Sequence, residues 1–439
     1  MNSKYLNSIK KDFQISTSGM RGIVRRFHSE MKKGLRGKPG SLKMIPTYVD
    51  IPTGKEKGSF LALDLGGTNF RVLKLELKGR GRTGEPVVKK FVLDKKRITG
   101  PGVKLFDFFA ACIENFMKDA RLGRSKGIKL GFTFSFPIKQ TGVASGNLVL
   151  WTKGFKATGV VGRNVVALLN DALKRKGLDN IRVTALANDT VGTLIAKSYS
   201  DKACDVGVII GTGTNACYRE KVSNIKKWRG ARTPSGRMII NIEWGNFNKL
   251  GRTKYDIALD KRSENPGDQA LEKMVSGMYM GEVARLVTHD MIKRGILFRG
   301  RKSGSLADKG SFKTEYVSLV ELDTSRGLKK IEDLLKKLGV KDSTLEERLL
   351  VRIICDIVSL RGARISASAL GAVVTKMDPR LLRKHTIAID GSVYEKHPAF
   401  ANKIDAGLKD LFGKRASRIN IELSKDGSGK GAAIIAAVA

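Results

Sequence analysis

Two short segments of this chain place glycines where a phosphate can be held. In Leu61-Ala62-Leu63-Asp64-Leu65-Gly66-Gly67-Thr68-Asn69-Phe70-Arg71 an apolar run ends in an acid and then in two adjacent glycines. Without Cβ atoms in the way, backbone N–H groups can approach a phosphate, and the turn takes positive φ at little steric cost. Asp64 at the end of such a strand can hold Mg²⁺ through water, because that ion keeps most of its waters and takes few protein carboxylates. A plain β-hairpin turn has the same local pattern. The second segment, Val206-Gly207-Val208-Ile209-Ile210-Gly211-Thr212-Gly213-Thr214-Asn215, repeats the design and runs on into another apolar strand. Two such hairpins can clasp one triphosphate from opposite sides.

Between them, Asn188-Asp189-Thr190 stands where an apolar strand turns into a helix beginning near residue 190. A carboxylate is favoured as the anion at a helix N-terminus, and a positioned carboxylate can take the proton of a hydroxyl attacking phosphorus. N-capping is the commoner use of Asp at such a place. The neighbouring motifs Leu130-Gly131-Phe132-Thr133-Phe134-Ser135-Phe136-Pro137, Trp151-Thr152-Lys153-Gly154-Phe155 and Ala187-Asn188-Asp189-Thr190-Val191-Gly192-Thr193 bear on that choice. With them the chain resembles the eukaryotic-type hexokinase and glucokinase family, as a single catalytic unit. The likeness runs from Met44-Ile45-Pro46 through Ile242-Glu243-Trp244-Gly245, Glu272-Lys273-Met274-Val275-Ser276-Gly277 and Asp390-Gly391-Ser392-Val393-Tyr394 to Asp426-Gly427-Ser428-Gly429.

The resemblance implies an α/β fold: an actin-like (ribonuclease H-like) duplicated ATPase core, two lobes with a ligand cleft between them. Residues 58–188 plus 424–439 form the expected small domain, and 1–57 plus 189–423 the large one. It implies ATP-dependent phosphorylation of the 6-hydroxyl of glucose or a related hexose with Mg²⁺, Asp189 being the base and Lys153 its catalytic partner. A non-catalytic sugar sensor on the same fold is the alternative, but Asp189, Lys153 and Gly66-Gly67, which sensors tend to lose, are all intact. Sugar contacts are implied for Ser135, Thr152, Lys153, Asn188, Asp189, Asn215, Glu243 and Glu272. The chemistry suits them: carboxylates accept from hydroxyls, and Lys153 donates and adds positive charge near the transferring phosphoryl. Asp64, Leu65, Gly66, Gly67, Thr68, Asn69 and Thr212 are implied for the phosphates, with Gly277, Met278, Thr314, Ser318, Ser392, Val393, Tyr394, Glu395 and Lys396 around the rest of ATP. Gly427-Ser428-Gly429-Lys430-Gly431 imitates a P-loop, yet it lacks Ser or Thr after Lys430 and has Ser424 where the first glycine belongs. It fits the glycine-rich start of a last helix.

Periodicity supplies the elements that must carry these residues. Strands are expected at 59–65, 70–78, 86–92, 129–134, 181–187 and 205–211, and helices over 164–176, 190–200 and the run of Leu105, Phe108, Phe109, Cys112, Ile113, Phe116 and Met117, with Phe108 and Phe109 in the core. Trp151 and Phe155 are expected to pack rather than to bind. Residues 299–312 suggest a surface loop. A chain of 439 residues is too long for one core. Its four cysteines form no Cys-x-x-Cys pair and no metal spacing, which fits a reducing compartment. No signal-like or anchor-like apolar run opens the chain, so a cytoplasmic enzyme without a membrane anchor is expected, organelle import being left open. The formal charge of +40 is spread along the chain rather than gathered in a tail. It predicts non-specific polyanion binding and no dedicated nucleic-acid partner.

Overall fold

The computed structural model describes residues 2–66, 69–122, 127–231, 233–299 and 303–439. Two mixed sheets repeat one strand order. In the first, Lys57–Leu65 pairs antiparallel with Asn69–Gly79, which pairs antiparallel with Val87–Val92. On its other side Lys57–Leu65 runs parallel to Ile128–Phe134, which runs parallel to Ile181–Ala187. In the second, Cys204–Ile210 pairs antiparallel with Thr214–Lys221 and that strand with Arg237–Asn241, while His385–Asp390 and Ile419–Leu423 follow in parallel on the other side. The repeat accounts for the repeated glycine motif: each motif ends the strand that pairs antiparallel on one side and parallel on the other in its own sheet.

Alternation along the strands divides the interior into three cores. Leu61, Leu63 and Leu65 face outward onto the helix Gly102–Asp119 through Leu105, Phe109, Cys112, Ile113 and Phe116. Val206, Val208 and Ile210 face a larger core built around the helix Leu345–Met377. Ala62, Leu73 and Leu75 of the first sheet and Cys204, Cys217 and Ala388 of the second face each other across a third core. Two helices fill that middle layer, Asp189–Ser200 after the last strand of the first sheet and Gly427–Val438 after the last strand of the second.

These two helices exchange partners. Asp189–Ser200 lies on the second sheet and Gly427–Val438 on the first, and they cross at Gly192 and Gly431. A Cβ on Gly431 would stand 1.9 Å from the Gly192 carbonyl oxygen. The glycine-rich P-loop imitation is therefore the start of the last helix, and its glycines serve close helix packing. The strands and the helix Asp189–Ser200 lie within two residues of their expected places. Trp151 and Phe155 stack on each other at 5.3 Å, and the Trp151 indole donates to the Ala157 carbonyl at 2.8 Å, as packing residues do.

Among the elements not foreseen, three long helices stand out. The helices Asn2–Phe13 and Thr17–Leu35 bury Ile9, Phe13, Met20, Phe27 and Met31 against the large core. Leu345–Met377 is long and apolar enough to cross a membrane, but 83% of its most apolar stretch is buried inside the protein. Of the surface loop expected at 299–312, residues 300–302 lie outside the described residues, and Gly304–Ala307 forms a short 3₁₀ helix with Leu306 buried.

Candidate active site

Asp189 is the first residue of its helix, and it is not the cap. Asn188 takes that role, its Oδ1 accepting the Thr190 N–H at 2.9 Å. Asp189 Oδ1 accepts from the Thr190 N–H and hydroxyl at 2.7 and 3.2 Å. Among the described residues its Oδ2 takes no hydrogen bond, so one oxygen is fixed and one is free. Asn188 keeps its amide N–H groups for another partner.

The sugar-side groups converge from both sheets. From the second sheet, the Asn215 amide donates to Asn241 at 2.8 Å and to Glu243 at 3.1 Å, and Asn241 donates to Glu243 at 2.8 Å. Glu272 accepts the Thr214 N–H at 2.9 Å, at the exit of the second glycine hairpin. Gly213 and Gly245 leave room for the start of the helix Ala270–Val275, which carries Glu272: a Cβ on Gly213 would lie 2.7 Å from a Glu272 oxygen, and one on Gly245 2.3 Å from Gln269 Oε1. Burial pushes the Glu243 carboxyl above its ordinary range, against its hydrogen bond from Asn241 and the charge of Lys43, and Asp189 adds to the rise. Burial likewise raises Glu272, with Glu243 adding and the Thr214 N–H and Lys153 opposing.

From the side of the first sheet comes Lys153, in a turn, held at φ 56°. Its ammonium donates to the Gly66 carbonyl at 2.7 Å and to the Ser135 carbonyl at 2.9 Å, joining the sugar loop to the first phosphate loop. Ser135 is buried, and among the described residues its hydroxyl oxygen has no hydrogen-bond partner, a cost that a ligand hydroxyl would remove. Thr152 stands half-buried beside Lys153.

On the phosphate side, Asp64 is 6% exposed. It accepts from Arg71 on one oxygen and from the Ser428 hydroxyl on the other, at 2.8 Å. Arg71 is thus a partner of Asp64, and it also pairs with Asp426 at the foot of the last helix. Asp390 ends a strand of the second sheet; burial raises its carboxyl, Arg71 opposes, and Asp426 and Asp189 add. Asp64, Asp390 and Asp426 therefore gather around one guanidinium, with Asp189 within electrostatic reach of Asp390. Gly67 and Thr68 lie outside the described residues; Leu65 is core, Gly66 offers its carbonyl to Lys153, and Asn69 opens the next strand.

The second hairpin is tied by backbone. The Gly277 N–H donates to the Gly211 carbonyl at 2.8 Å and the Met278 N–H to that of Thr212 at 3.1 Å. Gly391 and Ser392 lie against Gly211, so the helix Ser392–Lys396 begins beside this hairpin. Val393 buries its side chain in the large core, Tyr394 packs against that core, and Ser392, Glu395 and Lys396 are exposed. Thr314 accepts the Gly281 N–H at 2.8 Å, and Ser318 is half-buried one turn along the same helix. Sequence reasoning left Thr214, Asn241, Gln269, Asp390, Asp426 and Ser428 out of the site. Asp390-Gly391 after an apolar strand again sets an acid just ahead of glycine, as Asp64 stands two residues before Gly66, and was the available signal.

Duplicated sheets, exchanged helices and an acidic cleft with glycine hairpins from both lobes define an actin-like ATPase core of the sugar-kinase class. One family model described as Hexokinase matches residues 5–199 and a second, also described as Hexokinase, residues 205–438. The chain belongs to the hexokinase family. It is 39% identical over 442 residues to Hexokinase-1 of Schizosaccharomyces pombe, covering 99% of this chain and 90% of that one. It is 41% identical to Hexokinase-1 of Rattus norvegicus over 99% of this chain, and it spans about half, 48%, of that longer relative. Among solved structures, the hexokinase of Schistosoma mansoni complexed with glucose superposes with a TM-score of 0.88 at 37% identity, covering 99% of this chain and 98% of that one.

Proposed function

We propose that this chain transfers the terminal phosphoryl group of ATP to the 6-hydroxyl of glucose or a similar hexose, with Mg²⁺. The observation that carries the reading is Asp189: freed from capping by Asn188, it keeps one oxygen open and lies close enough to Glu243 to raise that carboxyl. A sugar held by Asn215, Glu243 and Glu272 on one lobe and by Ser135, Thr152 and Lys153 on the other presents a hydroxyl to that oxygen. Asp189 takes its proton as the hydroxyl attacks. Lys153 brings positive charge to the boundary between sugar and phosphate. Sugar binding that draws the lobes together excludes water, which protects ATP from hydrolysis.

The residues fit Mg²⁺ carried by the nucleotide. Among the described residues no group of three or more His, Cys, Asp or Glu side chains forms a metal cage. Asp64 and Asp390 instead supply hard oxygens at strand ends beside the phosphate loops, which suits an ion bound mostly by phosphate and water. When bound, the ion neutralises phosphate charge. The glycine hairpins offer backbone N–H groups to the phosphates, and the Ser392–Lys396 segment, with Met278 and Ser318, stands beside the nucleotide. A cytoplasmic enzyme is the accompanying reading.

A coupled ADP-release assay across glucose, mannose, fructose, glucosamine and a no-sugar control tests this. Sugar-dependent ADP release is expected, with glucose among the substrates. Glucose binding without ADP release from any sugar would favour the sensor instead.

A further inference from the structure

Glu243 has an unusual backbone for a residue that must aim a carboxylate. It lies in the left-handed region at φ 56°, ψ 51°, which costs a non-glycine residue energy and persists only where surroundings enforce it. One enforcing group follows it in sequence: Trp244, fully buried, donates its indole N–H to the Thr214 hydroxyl at 2.9 Å. The other precedes it. Asn241 ends a strand paired at that very residue on both sides, with Ile45 and with Cys217, so its side chain projects from a fixed backbone.

The Asn241 amide works at both ends. Its Oδ1 accepts from Asn215 at 2.8 Å, and its Nδ2 donates to Glu243 Oε1 at 2.8 Å. Asn215 donates to the same Oε1 at 3.1 Å. A carboxylate only accepts, so the Asn241 amide has one orientation open to it. Both amides fall on one carboxylate oxygen, and among the described residues Oε2 takes no hydrogen bond. We infer that Asn241 is a positioning residue: it locks Glu243 Oε1 and orients Asn215, leaving Oε2 aimed at a sugar hydroxyl. This rests on the proposed sugar site.

The charged groups around Glu243 define what its loss should do. Asn241 and Lys43 favour the anion, whereas burial and Asp189 oppose it. Glu272, whose own carboxyl Glu243 raises, is the further acid in reach. Removing the Asn241 donor leaves the opposing influences in place, so Glu243 protonates at higher pH and sugar binding weakens from a higher pH downward.

The test measures glucose KM, ATP KM and kcat against pH for Asn241→Leu and Asn241→Ser, with Glu243→Gln in parallel. Asn241→Leu should raise glucose KM about tenfold or more, the worth of a hydrogen bond to a charged group, with kcat and ATP KM changing far less. The acid limb of kcat/KM for glucose should move to higher pH, and Asn241→Ser, which keeps a donor, should recover part of both effects. Should the leucine variant melt out in a thermal scan, the serine variant carries the same comparison. Glucose KM near wild type in the Asn241 variants while Glu243→Gln raises it overturns the inference. No effect in Glu243→Gln itself overturns the sugar-site reading and the inference with it. A raised KM with an unmoved acid limb would make Asn241 a direct sugar contact and also refute the positioning role.

Discussion

The two sides of the cleft are built differently. On the sugar side Asn215, Asn241 and Glu243 are interlocked through side-chain hydrogen bonds, and the Glu272 carboxylate is held by the Thr214 N–H, before any ligand arrives. On the nucleotide side the backbone does the fixing, through Gly277 to Gly211 and Met278 to Thr212, while Met278, Ser392 and Lys396 remain exposed. The contrast follows from the ligands. A hexose must be told from its isomers by hydroxyl geometry, which requires fixed acceptors and donors whose unpaired state is costly. A polyphosphate is a diffuse anion that backbone N–H groups and a bound cation can hold from many directions. The sugar side should therefore respond sharply to single substitutions and the nucleotide side mildly.

The largest expected effect lies where the two sides meet. Asp189→Ala should lower kcat by roughly 10² to 10⁴ fold, the usual worth of a positioned general base, while calorimetry still shows glucose binding. Turnover near wild type would remove Asp189 from the chemistry. Next come Glu243→Gln and Glu272→Gln, which keep shape but lose a charged acceptor. Each should cost roughly 1.5 to 3 kcal/mol of sugar binding. Glucose titrations indistinguishable from wild type in both variants would place those carboxylates outside the sugar site and erase the contrast between the two sides.

The parts of this site legible in the sequence are those carried by neighbours in the chain. A strand running into Asp and Gly, or Asn-Asp-Thr at a helix start, is a local pattern, and the second copy of the glycine motif reflects the duplicated sheet. Arg71 shows the limit. Nothing near it in sequence says that it bridges Asp64 to Asp426, because the last helix reaches that sheet only through the exchange at Gly192 and Gly431. Asn241 was hidden for a related reason: an amide at the end of Met238-Ile239-Ile240 gains meaning only when Asn215, from the adjacent strand, and Glu243 are seen on it. Leu345–Met377 escaped because burial on nearly all sides removes the amphipathic period that marks a surface helix. That Asn188, not Asp189, caps the helix is a difference of one residue, which pattern alone leaves open.

Acid should weaken sugar binding at a higher pH than ordinary carboxylates would. Burial raises both Glu243 and Glu272, so each takes up a proton in the free enzyme above the usual range as pH falls. The protonated form has lost its charged acceptor, and kcat/KM for glucose should fall as pH drops through these raised values. Glu272→Gln should leave one such group and a shallower acid limb. A limb of unchanged steepness would assign the titration to other groups. Closure is the milder companion effect. Ser135 and Lys153 stand with the first sheet and Asn215 and Glu243 with the second, so one sugar should draw the lobes together. Small-angle scattering should show a smaller radius of gyration at saturating glucose, and an unchanged profile would count against closure.

The smallest expected effect sharpens the nucleotide side. Thr314 is expected beside ATP, yet its hydroxyl accepts the Gly281 N–H at 2.8 Å, in the first turn of the helix Met280–Lys293. That bond satisfies one of the donors a helix start leaves open. Thr314→Val keeps the branched shape and removes the acceptor, so its cost should fall on stability, roughly 0.5 to 1.5 kcal/mol by denaturant titration. ATP KM should change no more than about twofold, as for other substitutions that leave the backbone cradle in place. Thr314→Ser keeps the acceptor and should restore the stability. If Thr314→Val instead raised ATP KM about tenfold with stability untouched, its hydroxyl would be a nucleotide ligand. The nucleotide side would then depend on fixed side chains as the sugar side does.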